Sequence, residues 1–143
     1  MAWWSWLIGA AGLNAIVNMD DPAFGLQWSP DDEAWIGESD GYRIAIGYSG
    51  TPSPSPELLG HVREFLGPNA KRFTQNLANA RAVESVKYEP WAAEFAGLRV
   101  GMLHFRKTKT GYACLVDMVG GEPDRSWRVE FEGTRCLGFG FDT

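Results

Sequence analysis

Large apolar residues alternate with polar or small ones near both ends of this chain, and a helical period runs between them. Phe24, Leu26 and Trp28 alternate with Ala23, Gly25 and Gln27, and Ser29-Pro30-Asp31-Asp32 then reads as a turn. Residues 34–37 predict a brief second strand. Tyr42, Ile44, Ile46 and Tyr48 alternate with Arg43, Ala45 and Gly47 in a third. Toward the end of the chain, residues 98–106 and 112–119 predict two strands around the polar loop 107–111. Trp127, Val129 and Phe131 alternate with Arg128, Glu130 and Glu132, and Leu137, Phe139 and Phe141 with Gly138, Gly140 and Asp142. This parity places those six bulky side chains on one buried face.

The period changes after Thr51-Pro52-Ser53-Pro54-Ser55-Pro56. Ser55 suits a helix N-cap, Pro56 the first helical position, and Glu57 the positive end of the helix dipole. Leu58, Leu59, Val62, Phe65 and Leu66 follow at helical spacing until Gly67-Pro68 ends the run. A second helix is expected from Asn69 to about Lys87, with Phe73, Leu77 and Ala80 inward. Pro90 prevents its extension. These patterns predict an α+β domain with a mainly antiparallel sheet of about seven strands. The expected order is β-β-β-α-α-β-β-β-β, with two helices packed on one face.

A length of 143 residues suits one domain, read as residues 21–143. Residues 1–20 form an apolar, Trp-rich opening expected to dock on that domain or on a partner. Residues 2–17 are too short for a spanning helix and are interrupted by Ser5 and Asn14. They also lack the basic start of a signal peptide. The spacing of Cys114 and Cys136 does not suggest a disulfide framework. A cytoplasmic protein without membrane attachment is the expectation.

Charge changes the picture most. Asp20, Asp21, Asp31, Asp32, Glu33, Glu38 and Asp40 all precede Arg43, the first of 13 basic residues. Such an acidic opening steers encounter with a cationic surface. Trp28 and Trp35 stand among these acids, and a Trp ringed by charge is typical of interface hot spots. The expected partner-binding set is Trp28, Asp31, Asp32, Glu33, Trp35, Glu38 and Asp40. Asp31, Asp32, Glu33, Glu38 and Asp40 are expected to form one negative patch. A solvated acidic edge, with the Trp side chains in the core, is the simpler alternative.

The remaining chemistry is sparse. His104 and Cys114 flank one hairpin and could meet as a nucleophilic dyad, but a strand cysteine is more commonly a small buried hydrophobe. His61, His104, Cys114 and Cys136 lack the close ligand pairs of a structural zinc site. Residues 31–33 lack the alternation of a calcium loop, and Gly138-Phe139-Gly140 is followed by no helix to hold a phosphate. Arg99, Arg106, Lys107 and Lys109 cluster near Phe105 and Tyr112, yet the net charge of −5 opposes nucleic-acid binding. No cofactor, metal or catalytic residue is assigned.

Asp21-Pro22-Ala23-Phe24-Gly25, followed by Trp35-Ile36-Gly37, resembles the opening of small bacterial domains of the toxin-associated immunity type. That resemblance implies a toxin-neutralising binder that occludes a cationic active site, and it implies no catalytic residue. A small-molecule-binding or hydrolytic domain using an aromatic face and His104 is the second expectation. A structural or assembly role for the Trp-rich start is the third.

Overall fold

The computed structural model describes residues 24–48, 50, 53–87 and 89–142. The expectation for the Trp-rich opening, together with Asp20, Asp21 and the start of the D-P-x-F-G stretch, lies outside these residues. Seven strands form one sheet in sequential order: β1 (Gln27–Ser29), β2 (Ala34–Ser39), β3 (Tyr42–Gly47), β4 (Arg99–Lys107), β5 (Tyr112–Val119), β6 (Ser126–Glu132) and β7 (Arg135–Asp142). All neighbours are antiparallel except β3 and β4, which run parallel. The helical crossover between them permits this, because a parallel pair cannot be joined by a tight turn.

That crossover contains three helices, not two. Helix α1 (Pro56–Leu66) starts as the sequence predicts: the backbone N–H of Leu58 donates to Ser55 Oγ at 3.3 Å, and Pro56 takes the first turn. Helix α2 (Ala70–Lys87) follows. Beyond it a 3₁₀ turn (Glu89–Trp91) leads into the short α3 (Ala92–Gly97). Pro90 ends one helix without preventing the next, because proline is tolerated in a first helical turn.

Register separates the two faces of the sheet. Trp35 pairs with Ile46, Ile44 with Leu103, Phe105 with Cys114, and Val116 with Val129. These side chains share one face, where they pack with Leu58, Val62 and Phe65 of α1, Phe73 and Leu77 of α2, and Phe95 of α3. Phe65 packs edge-on to Phe105 at 5.2 Å and Phe73 to Phe131 at 5.2 Å. The core therefore lies wholly between helices and sheet.

One predicted core position is corrected. The β6–β7 register shifts between Glu130, opposite Gly138, and Phe131, opposite Cys136. Leu137 is the extra residue of this bulge, so parity is lost there and its side chain is 50% exposed. Phe141 is also only partly covered, since β7 is the last strand of the sheet. Trp127, Val129 and Phe131 are buried as their alternation requires.

A carboxylate pins the last helix to the sheet. Glu94 of α3 accepts from Trp127 Nε1 at 2.9 Å, from the backbone N–H of Glu122 at 2.9 Å, and from both Nε and Nη2 of Arg125. The Arg125 guanidinium also lies over the Trp91 ring, 5.4 Å from its centroid. The Arg125 hydrogen bonds, aided by those from Trp127 and Glu122, hold the Glu94 carboxyl down at about 2 despite its burial. Among the described residues no helix is long and apolar enough to cross a membrane.

Candidate functional site

Two acidic turns sit at opposite ends of β2. Asp31, Asp32 and Glu33 are exposed in the loop 30–33, while Asp40 lies in the two-residue turn 40–41 with Glu38 just before it. At about 3.3 Å per strand residue, the groups are separated by roughly 17–20 Å. The Debye length at physiological salt is about 8 Å, so they do not act as one field. The single negative patch is thus corrected to two smaller ones. Arg43 also stands directly opposite Glu38 across β2 and β3. Asp40, with φ at 53°, and Gly41, with φ at 83°, form an Asp-Gly hairpin turn, which gives Asp40 a structural role.

The turn 31–33 is the stronger patch. Ser29 Oγ donates to Asp32 Oδ2 at 2.7 Å and fixes that carboxylate. Glu33 is held at φ 50°, a left-handed conformation that costs a non-glycine residue about 1–2 kcal/mol. Its carbonyl accepts from the backbone N–H of Tyr48 at 3.0 Å, so Tyr48 lies beside the acids. Trp28 packs edge-on against Tyr48 at 6.0 Å and against Trp35 at 4.8 Å.

Trp35 does not belong to a contact surface. It is 2% exposed and forms part of the core, so the expectation that it anchors a partner is corrected. Its parity with Ile46 places it under the helices. Trp28 is half-buried and Tyr48 exposed, and these two carry the aromatic surface beside the acids. Tyr48 escapes the sequence reading because the alternation of β3 assigns it to the core, whereas β3 ends at Gly47.

None of the described helices covers the opposite face of the sheet. It holds a groove of about 740 Å³ running from Asp32, Ala34 and Gly47 toward Gly138 and Gly140. Ala45 and Ala113 deepen it because their neighbours across the strands, His104, Arg106 and Glu132, are larger. His104 Nε2 donates to Asp117 Oδ2 at 2.7 Å, and Arg106 lies 3.7 Å from Glu130. Both members of each pair are at least two-fifths exposed, so these contacts add little stability.

His104 and Cys114 point to opposite faces. His104 is opposite Leu115 and faces the groove, whereas Cys114 is opposite Phe105 in the core. Burial pushes the Cys114 thiol well up, which disfavours the thiolate form that nucleophilic chemistry needs. Both cysteines are free. Among the described residues no group of three or more His, Cys, Asp or Glu side chains could hold a metal ion. Lys107 pairs with Glu57 at 2.7 Å, so the basic hairpin is partly neutralised from α1.

No motif marks Asp117. Its signal is a lone carboxylate in an apolar strand, at the same parity as Leu115 and Ala113. No family model matches the chain, and neither curated proteins nor solved structures gave a match.

Proposed function

We propose that this protein is a binding protein that captures a cationic partner protein at one end of its open sheet face. The observation that carries the reading is the exposed turn of Asp31, Asp32 and Glu33 at one end of the sheet: Asp32 lines the end of the open-face groove, and Trp28 and Tyr48 flank the turn on the helix-side face, where they pack against Trp35. Carboxylates steer the encounter, a partly exposed aromatic pair supplies contact area, and the groove accepts side chains of the partner. The strained backbone at Glu33 fits a segment shaped for contact. In the immunity-type form of this reading, the partner is a toxin and the acidic turn fills its cationic active site.

Association with a basic protein should slow as salt rises, since exposed charges are screened. Asp31→Asn/Asp32→Asn/Glu33→Gln should lower the association rate on the order of tenfold while leaving the melting temperature nearly unchanged. Stopped-flow measurements over a salt series test this. A rate indifferent to both salt and the triple substitution would refute the proposal.

The His104–Asp117 pair supports a second reading, a hydrolytic domain. With Nε2 donating to Asp117, neutral His104 keeps Nδ1 as an acceptor and could take a proton from water in the groove. Turnover of a small ester or amide that disappears in folded His104→Ala would favour it. On the binding reading, His104→Ala leaves capture of the partner within about twofold.

A further inference from the structure

The face of the sheet away from the described helices carries apolar side chains of its own. Ile36, Ala45, His104 and Leu115 lie in one row across β2 to β5, with Ala45 buried and Ile36 and Leu115 half-buried. The groove along this row continues to Gly138 and Gly140 of β7. It therefore crosses from β2 to β7, five inter-strand spacings or about 24 Å. Small residues keep its floor low, and Arg106, with a side chain 71% exposed, stands beside it.

Residues 1–19 contain no charged side chain. Within them Trp3, Trp6, Leu7, Ala10, Leu13 and Val17 recur at helical spacing, with Ser5, Gly9 and Gly12 on the opposite side. A helix over residues 2–17 is about 24 Å long, which is the span of the groove. Its apolar stripe needs an apolar surface, and the three described helices already fill the other face. Residues 18–23 link this segment to Phe24, whose carbonyl accepts from the backbone N–H of Glu38 and so holds the chain beside β2. Six residues reach about 20 Å at most. That exceeds the roughly 10 Å depth of a packed layer, so the chain can round the β1 edge.

We propose that residues 2–17 dock as a helix along this groove and complete the domain with a layer on the second face of the sheet. The Trp side chains suit this site: an indole packs on the small-residue floor and presents its ring face to the Arg106 guanidinium. Asp20 and Asp21, which follow directly, oppose an anionic membrane surface as the occupant's alternative home. On the capture reading above, this helix and the partner's side chains compete for the groove, while the acidic turn stays free at its end.

Spin-label broadening of backbone amides in the full chain tests this. The label sits at Ser5→Cys, on the outer side of the helix, in a chain that also carries Cys136→Ser; Cys114 is buried. Amides of Ala45, His104, Leu115 and Gly138 should broaden most, and to the same degree at every protein concentration. Trp6→Asp/Leu13→Asp should abolish that broadening while the amide spectrum of the sheet stays folded. If this variant misfolds, Leu115→Arg, which blocks the groove from the other side, should remove the broadening instead. Strongest broadening at α1 and α2, or none anywhere, would overturn the proposal. So would broadening of an isotope-labelled chain by a spin-labelled second chain, which makes a second copy the occupant. Co-sedimentation with phosphatidylcholine–phosphatidylglycerol vesicles would overturn it in favour of a lipid surface. No partner protein enters this measurement, so its failure leaves the capture reading standing.

Discussion

Single side chains explain why the acidic opening is not one surface. Trp35 turns under the helices because it shares parity with Ile46, so substituting it acts on folding and not on a contact. Asp40 is a hairpin residue, and Glu38 stands across from Arg43. What remains for recognition is Asp31, Asp32 and Glu33, with Trp28 and Tyr48 beside them. Glu94 is the clearest structural carboxylate. Its folded pKa is lowered from 4.5 to about 2, so its contribution is fully present above about 4.5 and is lost as pH falls toward about 2. That difference corresponds to about 3 kcal/mol for a side chain only 8% exposed. Glu94→Gln should lower stability by about that amount at pH 7 and flatten the acid limb of a denaturation series between pH 5 and 2. An unchanged acid limb would mean that other carboxylates govern acid unfolding.

Elements with strong periodicity are legible in the sequence. Strict alternation places Trp127, Val129 and Phe131 inward, and Ser55-Pro56 marks the start of α1. The misses have local causes. The bulge opposite Glu130 turns Leu137 outward, and no composition signal announces an extra residue between two alternating pairs. Helix α3 is only six residues long and follows a proline, where sequence patterns are weak. Gly25 and Gly37, two glycines of the immunity-like pattern, have roles in the fold. Gly25 adopts φ 55° ahead of β1. At Gly37 a Cβ would collide with the Phe24 carbonyl oxygen, which also accepts from the backbone N–H of Glu38 at 3.1 Å. Gly37→Ala should therefore cost about 1–3 kcal/mol in a denaturant titration. A neutral result would mean that the Phe24 carbonyl moves aside freely.

On the scale of the whole molecule, the three helices among the described residues all cover one face of the sheet, and none of them covers the other. The open face carries the His104–Asp117 and Arg106–Glu130 pairs, a floor of small residues, and the acidic turn at one end. The site was only partly legible, because which turn lies at which end of a strand depends on register and not on charge counts. Titrating the isotopically labelled full chain with an arginine-rich oligopeptide, while recording amide shifts, tests the central claim most directly. Saturable changes should concentrate at residues 28–34 and 45–48, fade with salt, and vanish in the Asp31→Asn/Asp32→Asn/Glu33→Gln variant. Shifts confined to α1 and α2, or equal shifts at Glu38 and Asp40 that ignore the triple substitution, would contradict the account.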